Sequence, residues 1–275
     1  MRRTLSRAGQ LLGLGTAAMS LLLLGAVPAS AAAPPANDTI AGATAISAVP
    51  FGETVDTTEA TTDAEDAAIN ATCGAPATSG SIWYTLDAAA PAYLVDVSKS
   101  NFTAGVIVAT GTPGNLSIVT CGPDAVGFEP TAGETYYLMA FSDSPDVVGG
   151  QLAIEVTETD PVPTISMTVD DAGSVDKATG VATISGTYTC DGTADFVVLQ
   201  GSLQQEQGDV QVSGDFVQEN LACGGTFDWS AEVTAESGGF KRGLAATAAL
   251  TVGCNLLGCN IYDTLEVVRL RGGHG

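Results

Sequence analysis

In Ser81-Ile82-Trp83-Tyr84-Thr85-Leu86, the residues Ile82, Tyr84 and Leu86 alternate with Ser81, Trp83 and Thr85. This period of two restricts the possible folds more than any other feature. Successive side chains of an extended strand point to opposite faces, so aromatic and aliphatic residues at every second position describe a strand with one face on a core. Similar runs follow at short intervals: Ala92–Ser98, Ala104–Ala109, Leu116–Cys121, Thr135–Phe141 and Gln151–Val156, with Thr54–Thr57 as a short edge strand before them. Turn residues separate them, at Pro91, Gly111-Thr112-Pro113-Gly114, Gly122-Pro123 and Ala132-Gly133. No sustained helical period and no repeat linking the two halves is visible. Short strands at this spacing predict an all-β sandwich rather than a parallel α/β sheet.

Asp160-Pro161-Val162-Pro163 marks a boundary, because two prolines in four residues stiffen an extended connector and exclude it from a sheet interior. Beyond it Ile165, Met167 and Val169 alternate, as do Ile184, Gly186, Tyr188 and Cys190. Phe196–Leu203, Asp209–Ser213, Phe227–Val233, Leu244–Val252 and Ile261–Arg269 complete about seven strands, as an immunoglobulin-like sandwich requires. The expected architecture is therefore two β-sandwiches in tandem, over residues 37–159 and 164–270. A Pro-rich linker (160–163) joins them, and a flexible tail (271–275) follows. The register of Phe227–Val233 places Trp229 in the core. Thr58 to Gly80 is polar, small and acidic and reads as a long loop pinned by Cys73. Asp38 is placed to cap a single helical turn over Thr39 to Ala43, after a mobile lead-in (32–36).

Arg2, Arg3 and Arg7 precede an apolar run, Leu11 to Val27, that ends in Pro28-Ala29-Ser30-Ala31. A positive start, an apolar middle and an Ala-x-Ala ending predict a signal peptide over residues 1–31, and hence a secreted product with no membrane attachment after cleavage. The rest of the chain is more acidic than the full formal charge of −22, since those three arginines are among only nine basic residues. Such a surface argues against nucleic acid, whose phosphates need clustered Lys and Arg, and favours a soluble monomer.

Cys73, Cys121, Cys190, Cys223, Cys254 and Cys259 all lie beyond the apolar run. An even count in an exported chain predicts disulfides, and partition between the halves favours Cys73–Cys121, Cys190–Cys223 and Cys254–Cys259. On a loop-entropy model the first two contribute about 4 kcal/mol each and the short one about 2. Zinc is disfavoured, because His274 is the single histidine and no Cys-x-x-Cys occurs.

The N-terminal half resembles the pre-peptidase C-terminal-like domains of exported bacterial proteins. Asn37-Asp38, Pro50-Phe51-Gly52, Thr57-Thr58-Glu59-Ala60-Thr61, Cys73, Ser81-Ile82-Trp83-Tyr84, Gly111-Thr112-Pro113 and Thr131-Ala132-Gly133-Glu134-Thr135-Tyr136-Tyr137 carry the likeness, over roughly Asn37 to Thr157. It implies a jelly-roll-like sandwich that is a non-catalytic accessory. It also implies a calcium site in which Asn37 and Asp38 match one ligand pair and Asp63 and Asp66 another. Calcium takes hard oxygens, so the donor types are suitable. Pro35-Ala36 stands where calcium-binding members carry acidic residues. The alternative is that Asp38 caps a turn while Asp63 and Asp66 are solvated loop charges. The C-terminal half resembles an all-β domain of unknown function from secreted proteins of high-GC Gram-positive bacteria. Val181 to Cys190, Cys223 before Trp229, and Gly243 ahead of a late strand carry that likeness, which implies an immunoglobulin-like sandwich. The order Cys190, Cys223, Trp229 departs from the antibody Cys–Trp–Cys order.

Nothing in the sequence pairs a nucleophile with a base. With His274 alone near the end, Ser-His-Asp and Cys-His arrangements are absent, as are Gly-x-Ser-x-Gly and phosphate loops. Ser174-Val175-Asp176-Lys177 fits Ser-x-x-Lys without that motif's companions. Asp63/Asp66 and Asp170-Asp171 are close acidic pairs of the kind that cap turns. The expectation is a non-enzymatic module that binds an extracellular polymer or surface protein, with Trp83 as the one large aromatic available to a ligand. The alternative is a protease inhibitor presenting Lys241-Arg242 from Ser237–Gly243.

Overall fold

The structure, a computed structural model, describes residues 32–75 and 79–272. The signal peptide expected over 1–31 and His274 lie outside the described residues. The first half contains β1 (Thr44–Ile46), β2 (Phe51–Asp56), α1 (Ala64–Cys73), β3 (Ile82–Asp87), β4 (Tyr93–Asp96), β5 (Ala104–Thr112), β6 (Asn115–Pro123), β7 (Ala125–Phe128), β8 (Thr135–Ser142) and β9 (Gln151–Glu158). One sheet runs β1-β3-β8-β5-β6 and the other β2-β9-β4-β7. From β2 onward the chain crosses between the sheets at every connection except the β5–β6 hairpin, which is the wrapping of a jelly roll. Tyr84, Leu86, Val95, Leu138 and Ile154 meet between the sheets.

The segment read as a long loop, Thr58 to Gly80, contains α1 instead. Asp63 accepts from the backbone N–H of Glu65 and Asp66, and the Asp66 side chain returns to the Asp63 N–H, so a reciprocal capping box starts the helix. Gly74, left-handed at φ 75°, ends it. The helix lays Ile69 on the outer side of the larger sheet, where Trp83, Ile107, Met139 and Phe141 form a second core. The central strands are therefore apolar on both faces, and Val106-Ile107-Val108-Ala109 shows no polar alternation for that reason. Asp38 caps no turn. The 3-10 turn Ile40–Gly42 lacks a side-chain cap, and Asp38 accepts from Thr61 N–H and Oγ1 at 2.6 Å each.

The second half adds β10 (Thr164–Met167), β11 (Ala172–Val175), β12 (Ala182–Asp191), β13 (Phe196–Gln207), β14 (Val210–Gln218), β15 (Gly225–Val233), β16 (Gly243–Asn255) and β17 (Gly258–Gly272). β12 pairs with β15 and β10, while β17, β16, β13 and β14 run side by side. β11 joins the two layers, antiparallel to β12 and parallel to β17. This is an immunoglobulin-like arrangement with a split first strand. Trp229 is buried, stacked on Phe216 at 5.8 Å, and donates to Thr168 O. The antibody pattern is absent, because Cys190–Cys223 ties the end of β12 to the loop before β15 within one layer. Cys73–Cys121 fastens α1 to β6, and Cys254–Cys259 closes the β16–β17 turn. Arg271 and Gly272, expected in a flexible tail, belong to β17.

The connector is not free. Val162 N–H donates to Glu129 of the first half, and Asn255 Nδ2 donates to Pro161 O. Leu257 packs so closely on Gly127 that a side chain there would collide with it. Residues from Ala33 onward form one compact unit.

Candidate binding surface

The residues singled out by the resemblance do gather at one corner. Trp83 is completely buried, which removes it as a ligand platform. It does point to the sheet face opposite Ile82, Tyr84 and Leu86, but α1 covers that face. Its Nε1 donates to Asp66 Oδ1 at 2.6 Å, and Ser81 Oγ donates to Asp66 Oδ2 at 2.9 Å. Asn37 Nδ2 donates to Trp83 O, and Trp83 N–H returns to Asn37 O. Asp63 is occupied by the helix N-terminus. The acids are thus neither solvated loop charges nor convergent ligands. Calcium requires roughly six to eight oxygens around one point. Here both oxygens of Asp38 and of Asp66, and Oδ1 of Asp63, are taken by N–H and O–H donors, and among the described residues no three His, Cys, Asp or Glu side chains converge on a metal position. The set does not fit the ion. Burial pushes the Asp66 carboxyl above its ordinary range, outweighing the hydrogen bonds from Asp63 N–H, Ser81 and Trp83.

The open surface lies in the second half. In β16, Ala245, Thr247, Ala249 and Thr251 are buried, so Ala246, Ala248, Leu250 and Val252 point away from the core. Residues opposite one another share a face, so the register continues this outer surface across four strands. One row joins Leu265, Ala248, Ser202 and Asp215; the next joins Asp263, Leu250, Gln200 and Val217. Val267 and Ile261 extend it along β17. Leu265 is 79% exposed, Ile261 62% and Val217 59%, whereas the aliphatic residues of the first half's larger sheet are mostly at zero.

These two rows form the floor of a groove of about 900 Å³, with Ser230 and Glu232 of β15 along one side. Carboxylates stand at several points of the rim (Asp215, Glu232, Asp263), the amides of Gln200 and Gln218 lie between them, and Leu250, Val217 and Leu265 supply the apolar ground. Among the described residues no lysine, arginine or cysteine lines it. The groove offers hydrogen-bond acceptors and apolar contact rather than a nucleophile with a base. Sequence reasoning missed it, since outward and inward apolar residues of β17 look alike until the register is known.

The loop at Ser237–Gly243 is anchored rather than projecting. Phe240 is buried, and both Lys241 N–H and Lys241 O bond to the buried Gln205 side chain. Among the described residues no helix is long and apolar enough to cross a membrane.

No family model matches the chain, and no curated protein matches it significantly. Solved structures give weak likenesses. A Bacteroides uniformis beta-glucuronidase 2, covalently bound to cyclophellitol-6-carboxylate aziridine, aligns at 12% identity and TM-score 0.24, over 69% of this chain and 26% of that one. A GH2 beta-galacturonidase from Eisenbergiella tayi bound to glycerol aligns at 15% and 0.20, over 70% and 35%. A Parabacteroides merdae beta-glucuronidase aligns at 10% and 0.25, over 70% and 28%. The chain thus corresponds to between a quarter and about a third of the length of these proteins, and at such TM-scores the likeness carries no argument about activity.

Proposed function

We propose that this chain is a secreted, non-catalytic binding protein that holds a neutral extracellular glycan on the outer face of its second sandwich. The groove carries this reading. Carboxylates and amides around an aliphatic floor suit a ligand with hydroxyls on its edges and C–H groups on its faces. Three disulfides indicate folding in an oxidising compartment, in keeping with the export signal read from the sequence. The resemblance of residues 37–157 to pre-peptidase C-terminal-like domains also favours an accessory role.

Retention on a panel of insoluble polysaccharides tests it. At least one neutral polymer should retain the chain, and Asp215→Ala with Leu265→Asp should weaken retention by about tenfold or more. Release of soluble sugar from the retained polymer, or retention indifferent to both substitutions, would overturn the reading.

A further inference from the structure

Beyond residue 31 the chain has six basic residues: Lys99, Lys177, Lys241, Arg242, Arg269 and Arg271. Lys99 is paired with Glu155 at 2.7 Å, the one ion pair among the described residues. The other five stand together at one end of the second sandwich, where β11 and β17 end and β16 begins. Arg271 lies opposite Ser174 and Arg269 opposite Ala172 and Leu244. Arg269 and Arg271 share the outer face of β17, roughly 7 Å apart at the ordinary strand rise. A Cβ on Gly272 would fall 2.9 Å from Lys177 Cε and 3.3 Å from Arg242 Cδ, so those two side chains cross the end of β17 side by side, on the face opposite Arg269 and Arg271.

The framework beneath them is rigid. Gln205 is buried, donates to Lys241 O and accepts from Lys241 N–H, fixing the segment that carries Lys241 and Arg242. Gln207 Nε2 bridges Gln205 Oε1 and Gly239 O. Phe240 N–H donates to Gly180 O, which ties this segment to the turn bearing Lys177. Gly180 and Gly239 touch so closely that a Cβ on Gly180 would lie 2.8 Å from Gly239 Cα. Asp176, the carboxylate next to Lys177, is occupied by the N–H groups of Ala178 and Thr179. Among the described residues none of these five cations has an ion-pair partner, and the backbone segments that carry them are anchored, on a chain with 31 acidic residues.

The geometry points to an anion-binding pole that takes a thin, linear, phosphate-bearing polymer. Arginine forks and lysine point charges together match phosphate oxygens, and an anchored backbone beneath them limits the ordering that contact requires. The pole is small, on a chain whose net charge is strongly negative. A wide duplex would press its remaining phosphates against carboxylates, whereas a single strand of charges can leave along β17. The pole is separate from the glycan groove and does not depend on it.

Fluorescence anisotropy of the full chain with end-labelled inorganic polyphosphate tests the inference. Saturable binding is expected that weakens steeply with salt. The triple variant Lys177→Gln, Arg242→Gln, Arg271→Gln should lose roughly a hundredfold in affinity at low salt with an unchanged melting midpoint. Lys99→Gln, which removes the remote and paired cation, should leave binding unchanged. Equal losses from Lys99→Gln and the triple variant would overturn the pole. Equal binding of polyglutamate would overturn the phosphate assignment, and equal binding of duplex DNA would overturn the thin-strand one.

Discussion

The two sandwiches use their strands in opposite ways. In the first, the larger sheet is covered on both sides, by the second sheet and by α1, and a buried carboxylate beneath the helix is bonded inward. Asp66 alone receives Trp83 Nε1, Ser81 Oγ and Asp63 N–H. In the second, among the described residues, nothing covers the outer face of β17-β16-β13-β14, and its cations have no ion-pair partners. The lesson is that apolar content does not locate function here. What distinguishes the halves is whether a side chain's chemistry is already satisfied within the chain.

The sharpest way to break this contrast is to make one chemical change on both sides of it. Leu138→Asp places a charge in the closed core and should abolish cooperative folding. Leu265→Asp on the open face should move stability by no more than about 0.5 kcal/mol, both read by urea denaturation. Next in size is Asp66→Ala. It removes three hydrogen bonds to a buried carboxylate and strands Trp83 Nε1, for a loss of about 3 kcal/mol. The pH dependence of this site has a definite sign. The folded-state carboxyl sits above its ordinary value, so Asp66 favours the folded state at low pH. That contribution declines as pH rises from the unfolded value through the raised folded one. Melting midpoints of the parent and Asp66→Asn between pH 3 and 7 should differ with that slope; the opposite slope would contradict the assignment.

Gln205→Ala should cost about 2 kcal/mol, because several backbone groups lose a buried partner. It should also loosen the Lys241 segment and weaken polyphosphate binding even though it removes no charge. The smallest effect is expected from Tyr84→Phe. The Tyr84 hydroxyl is buried with no hydrogen-bond partner, and burial, reinforced by Glu53, pushes its pKa upward. Its removal should change stability by less than about 0.5 kcal/mol in either direction, unlike the loss of a satisfied buried hydroxyl.

Much of the fold was legible. The strand runs gave the all-β class and most of the strands, and the register of β15 gave the interior place of Trp229. What was missed has specific causes. Asp63, Asp66 and Gly74 together mark a helix start and stop, but the segment's small polar composition masked them. The unbroken apolar runs of β5 and β8 signal burial on two faces, and that would have predicted the covering that hides Trp83. Short strands at Thr44–Ile46, Ala125–Phe128 and Ala172–Val175 have too few residues to show a period. The basic pole was beyond reach for another reason. Its members are spread from Lys177 to Arg271, and only the pairing of β11 with β17 and of β17 with β16 brings them to one place.

One further consequence follows from the length of β17. Its far edge is hydrogen-bonded to β11 only from Arg269 to Gly272, so the stretch from Cys259 to Val268 presents open backbone groups beside Ile261, Leu265 and Val267. Such an edge is a template on which a second chain can polymerise. Asp263 and Glu266 interrupt it, and the mutual repulsion of strongly anionic molecules keeps copies apart. Colloidal stability and fold stability are thereby separated in this molecule. Acid or concentrated salt, which quench that repulsion, should raise light scattering before the far-ultraviolet circular dichroism of the strands changes.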